Sequence, residues 1–154
     1  MKSTNDVIDV LNDLAKINND RIAGYQTAIE YAKTIDMDLV ALFTALQDDS
    51  QQIGSELNQA LMQLGGVPED DSTLSGKIHR TWLDIKASFT GKDRGAILSS
   101  CEFGDDAILK AYDTALTDGD LPADVVTMLT QQRAKLQQGH DKVKAARDME
   151  AAVN

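Results

Sequence analysis

Four side chains in the second half of the chain have the chemistry of a metal site. Glu102, Asp105 and Asp106 crowd together in "CEFGDDAILK", and His140 stands in "KLQQGHDKV". Carboxylate oxygens and an imidazole nitrogen suit one divalent ion such as Fe²⁺, Mn²⁺ or Zn²⁺. Gln137 precedes His140 by three residues, so on a helix the two share a face. A carboxylate at 137 would make a Glu-x-x-His pair; the chain has an amide there.

These groups form a site only if the elements that carry them converge. Apolar residues recur at alternating three- and four-residue steps almost throughout, which is the helical period. Val7, Leu11, Leu14, Asn18, Arg21, Tyr25, Ala28 and Ala32 make one stripe, and Leu39, Phe43, Leu46, Ser50, Ile53, Leu57, Ala60 and Leu64 a second. Leu98, Cys101, Asp105, Ile108, Tyr112 and Ala115 make another, and Val126, Leu129, Arg133, Leu136, His140, Val143 and Arg147 the last. A short stripe of Ile78, Trp82, Ile85 and Phe89 lies between them. The spacing predicts helices over residues 5–35, 37–64, 75–89, 94–117 and 122–150, with Asp36 and Asp93 as N-caps and "GGVP" as a stop.

Two of the links are short and predict antiparallel hairpins. The link between the second and third long helices is long and carries its own short helix, as a chain needs when it travels the length of a bundle to start again. The expectation is an all-α four-helix bundle, residues 1–154 forming a single domain.

Composition narrows the function. The chain has 154 residues, a formal net charge of −10 and scattered lysines and arginines. Nucleic acid is held mainly through clustered cations, so neither it nor an anionic membrane surface is an expected partner. No apolar run approaches membrane-spanning length, and the N-terminal "MKSTNDVIDVLND" lacks the apolar core of a signal peptide. A single cysteine, Cys101, suits a reducing compartment. These features predict a cytoplasmic protein. No Ser–His–Asp set, phosphate loop, Cys-x-x-Cys or EF-hand loop is present, so conventional enzyme chemistry has no motif to rest on and a non-catalytic role is favoured over a catalytic one.

The polar members of the stripes allow two readings. In one, Asp105 with Arg21 or Arg133 forms a hydrogen-bonded polar layer that neutralises itself without a metal. In the other, Glu102, Asp105 or Asp106 holds one divalent ion together with His140. His79 and Trp82 brace the short helix, Cys101 is an inert buried thiol, and Tyr25 and Tyr112 are core aromatics with a hydroxyl to satisfy.

The blocks "NNDRIAGY", "LGGVPEDDSTLSGKIHRTWLDIKASFTGKDRGAIL", "CEFGDDAILKAYDTAL" and "GHDKVKAARD" cover most of the chain. Through them it resembles the ferritin-like superfamily, and within it an uncharacterised bacterial four-helix-bundle family. The resemblance implies a di-iron centre whose ligand positions fall on Asn18, Ser50, Ile53, Glu102 or Asp105, Gln137 and His140. Only two of these have suitable chemistry, so the implied centre is degenerate and no cofactor is expected in it. The resemblance further implies a homodimer or other homo-oligomer and a stress-related role, and a non-catalytic bundle is expected to act through a protein partner. Iron oxidation or storage is the less favoured alternative.

Overall fold

A computed structural model of the chain describes residues 2–68 and 94–153, the last three of these by backbone alone. The expected short helix over 75–89, with His79 and Trp82, lies outside the described residues. Within them the protein is entirely helical: α1 spans Thr4–Ala32, α2 Met37–Gln63, α3 Arg94–Thr117 and α4 Ala123–Val153.

The helix ends are written locally. Ser3 and Asp6 form a reciprocal capping box at the start of α1, the Ser3 hydroxyl accepting from the Asp6 amide at 3.2 Å and the Asp6 carboxylate from the Ser3 amide at 3.3 Å. The Asp36 carboxylate caps α2 by accepting from the Asp38 amide at 2.8 Å. At the other end Gly65 turns left-handed (φ +83°), the Gly66 amide reaches the Leu61 carbonyl at 2.8 Å, and the Gly65 amide reaches Met62 at 3.0 Å. That is a Schellman closure, and the positive φ is why glycine stands there.

Each helix packs on two others. α1 lies beside α2 and α3, and α4 beside α3 and α2, so α1/α4 and α2/α3 are the diagonals. Two apolar clusters fill the interior. One gathers Val7, Leu11 and Leu14 with Leu57, Leu61, Tyr112 and Leu129; the other gathers Tyr25, Ala28 and Ala32 with Leu39, Phe43, Leu98, Cys101 and Val143. This pairing fixes direction: every neighbouring pair runs antiparallel, whereas α2 and α3 run the same way across the diagonal. The end of α2 and the start of α3 therefore lie at opposite ends of the bundle.

On α4 the buried residues are Val125, Leu129, Gln132, Leu136, Gly139 and Val143. The expected stripe placed Val126, Arg133 and His140 inward, so α4 is rotated by about one residue from that reading at three of its turns. Arg133 instead faces α3 at the surface, where its Nε donates to Asp113 Oδ1 at 2.5 Å. Keeping a guanidinium in water and burying a glycine is the cheaper rotation.

Candidate functional site

Between the two apolar clusters lies a polar layer built around Arg21, whose side chain is 1% exposed. Its Nε donates to Asp105 Oδ1 at 2.8 Å, and its Nη1 donates to Ser50 Oγ at 2.5 Å and to the Leu46 carbonyl at 3.2 Å. The Tyr25 hydroxyl donates to the other Asp105 oxygen at 2.7 Å, and the guanidinium carbon sits 4.9 Å from the centre of the Tyr25 ring. Tyr25 in turn packs on Phe43 with the rings tilted by 53° and their centres 5.6 Å apart. Asn18 completes the layer by donating from Nδ2 to the Ser50 carbonyl at 2.7 Å, its own Oδ1 remaining buried without a hydrogen-bond partner.

Two glycines open the space for this layer. A Cβ on Gly139 would stand 2.9 Å from Leu46 Cδ2 and 3.3 Å from Arg21 Nη2, and one on Gly54 would stand 3.2 Å from Asn18 Nδ2. Each mid-helix glycine lowers helix propensity by about 1 kcal/mol relative to alanine, so both mark close approach. Gly139 in particular lets α4 pass over the guanidinium.

The electrostatics follow from burial and charge. Burial alone would pull the Arg21 pKa down, but the Asp105 carboxylate outweighs it and holds the guanidinium protonated. Burial first, then the Asp105 charge, pushes the Tyr25 hydroxyl and the Cys101 thiol well up. Both are therefore neutral, and the thiol is in its unreactive form.

The four expected metal ligands divide between two places. Asp105 belongs to the Arg21 layer, with both carboxylate oxygens engaged there. This matches the self-neutralising reading, with Arg21 and not Arg133 as the partner. Glu102, Asp106 and His140 come together on the α3–α4 flank. His140 Nε2 lies 2.8 Å from Asp106 Oδ1 and 3.9 Å from Glu102 Oε1, while Nδ1 is 3.4 Å from Asp141 Oδ1. The Arg147 Nη1 stands 2.5 Å from Glu102 Oε2. His140 Nε2 and Glu102 Oε2 are buried close to these groups without hydrogen-bond alignment. Among the described residues no group of three or more His, Cys, Asp or Glu side chains is arranged to hold a metal ion.

The positions implied for a di-iron centre fit such a centre poorly. Ser50 and Asp105 do converge, but on Arg21; Asn18 bonds the Ser50 carbonyl, and Ile53 is an apolar core residue. Gln137 is turned outward, its Nε2 donating to Asp141 at 2.9 Å. A guanidinium in the middle of the layer repels a second cation, and one carboxylate cannot fill the coordination of two ions.

A second polar chain crosses the bundle nearer the α1 N-terminus. The Tyr112 hydroxyl donates to Gln132 Oε1 at 2.8 Å, and Gln132 Nε2 donates to Glu56 at 3.0 Å. Gln132 and Gly139 are the inward residues that the hydrophobic pattern passed over, because neither is apolar. The step of seven between them, continued by Val125, is the signal that would have found them. A groove of about 310 Å³ lies between α1 and α3 over Leu14, Ile17, Ala111 and Ala115, and none of the expected ligands lines it. None of the described helices is long and apolar enough to cross a membrane.

A family model described as a domain of unknown function, DUF2383, matches residues 6–118. The match takes in α1, α2 and α3 and ends before α4. No curated protein matches the chain.

Proposed function

Because the chain belongs to the DUF2383 family, whose role is unknown, we propose one from the centre of the bundle outward: a non-catalytic helical-bundle protein that acts through its surface. In this reading it is a ferritin-like bundle in which an internal ion pair stands where relatives of that architecture would hold metal. The parallel run of α2 and α3 and the antiparallel hairpins α1–α2 and α3–α4 support the architecture. The stress-related and oligomeric setting belongs to the same reading and rests on the sequence resemblance, and the cytoplasmic setting rests on the single cysteine and the N-terminal sequence.

One observation carries it. Arg21 at the bundle centre is buried, charged and bound to Asp105, Ser50 and the Leu46 carbonyl. Its positive charge occupies the place that a metal's charge would need, and the carboxylate there is already neutralised.

Elemental analysis of untagged protein after exposure to Fe²⁺, Mn²⁺ and Zn²⁺ tests the reading. No stoichiometric metal is expected in native protein, and none is expected to disturb the Arg21 layer. Near-stoichiometric metal would overturn the reading. A second reading, one divalent ion held by Glu102, Asp106 and His140, is favoured by the convergence of these three side chains on His140 Nε2. It requires the bound metal to be lost in His140→Ala while Asp105→Asn retains it.

A further inference from the structure

Among the described residues the exposed faces of the bundle are unequal in charge, and the one across α2 and α4 carries little of it. From Ser50 to Gln63 on α2 the only charged residue is Glu56, and from Val125 to Gly139 on α4 the only ones are Arg133 and Lys135. Arg133 turns away to Asp113 on α3. Glu56 accepts from Gln132, and Lys135 donates to Gln52 Oε1 at 3.1 Å. What remains exposed across α2 and α4 is largely amide and small: Gln52, Ser55, Gln59, Gln131, Ala134 and Gln138. Two adjoining crevices of about 260 and 240 Å³ run between the helices here, sharing Glu56 and Gln131 in their walls.

We infer that this α2–α4 face is where a second copy of the chain docks. The charge distribution selects that occupant. At a formal net charge of −10, two copies repel when acidic faces meet, and like charges brought together at an interface oppose association. With Arg133 turned to α3, this face carries one Glu56 and one Lys135 per copy, so among the described residues it is a face that another copy can approach without that penalty. It is also self-complementary. Each copy offers one Glu56 and one Lys135, and primary amides both donate and accept, as a two-fold interface requires when the same patch serves on both sides. Depletion of charge at the centre is the compositional mark of an interface. A nucleic acid would find no cationic stripe here, and a strongly basic partner would find only one carboxylate.

The face is polar and not broadly apolar, so the dimer is a dissociable one at the weak end of specific interfaces. The inference stands apart from the bundle centre: it needs neither the presence nor the absence of metal, and its test reads mass alone.

Size-exclusion chromatography with light scattering on the full chain tests it. Native protein is expected to rise from monomer to dimer mass with concentration and to stop there. Gln59→Glu/Gln131→Glu and Gln59→Lys/Gln131→Lys are each expected to remain monomeric with native circular dichroism. An equimolar mixture of the two variants is expected to regain dimer mass. Native protein that stays monomeric at every concentration overturns the inference. So does a dimer that persists in both variants, or a mixture that fails to rejoin.

Discussion

Arg21 and Asp105 show what a buried charge requires of its surroundings. Each is 1% exposed, and each has its polar atoms met by the other and by Tyr25, Ser50 or a carbonyl. Removing one partner leaves the other charge buried and unpaired, which costs about 3–5 kcal/mol, whereas replacing the pair by apolar groups of similar shape is often neutral. Arg21→Ala is therefore expected to lower the free energy of urea unfolding by about that amount. Arg21→Met combined with Asp105→Leu should lose much less, although Tyr25 and Ser50 then each lack a partner. A double variant as unstable as the single would show that geometry, and not charge pairing, holds the layer. Gly139→Ala sets a helix-propensity gain of about 1 kcal/mol against overpacking of about 1–3 kcal/mol. With a Cβ 2.9 Å from Leu46 Cδ2, overpacking should win, and adding Leu46→Val should recover part of the loss in the same urea experiment.

At the scale of the helix, α4 separates what the sequence makes legible from what it conceals. The all-helical class and the inward residues of α1 could be read from periodicity alone, because Val7, Leu11, Leu14, Tyr25 and Ala28 outnumber the polar members of that stripe. The Asp36 cap was legible from residue type. On α4 the two rotations differ only in whether Gln132 and Gly139 or Arg133 and His140 face inward. Side-chain hydropathy cannot decide between them, because the choice depends on Arg21 needing room and on Tyr112 needing an acceptor, both on other helices. The division of the metal candidates between two places was hidden for the same reason. Asp105 and Asp106 are adjacent in sequence yet point to different partners, one to α1 and one to α4. The register has a direct test by thermal or urea unfolding. Gln132→Ala strands the buried Tyr112 hydroxyl and should cost about 1–3 kcal/mol. Arg133→Ala removes a half-exposed ion pair and should cost no more than about 1 kcal/mol. Equal costs would restore the rotated stripe.

Across the whole molecule, three weak acids are kept neutral by one fold. Burial pushes the Tyr25 and Tyr112 hydroxyls and the Cys101 thiol above their ordinary values of 10.0, 10.0 and 9.0, and the Asp105 charge adds to this for Tyr25 and Cys101. The unfolded chain releases these protons near their ordinary pKa values, while the folded chain holds them to higher pH. A folded-state pKa above the unfolded one means that the stabilising contribution is intact below the unfolded value and falls as pH rises beyond it. The protein should thus lose stability from about pH 9, where Cys101 first ionises in the unfolded state, and faster from about pH 10 as the tyrosines join. Each group can contribute up to about 1.4 kcal/mol per pH unit until its folded-state pKa is reached. Urea unfolding followed from about pH 8 to about pH 11 measures this slope directly. Cys101→Ala should delay its onset, and Tyr112→Phe should flatten its upper part while leaving the Arg21 layer in place. Phenolate absorbance adds an independent readout, since Tyr25 and Tyr112 should ionise together with the loss of helix and not before it. Ionisation of either phenol in a chain that is still fully helical would mean that water reaches the bundle interior, and the closed, self-neutralised centre would have to be abandoned.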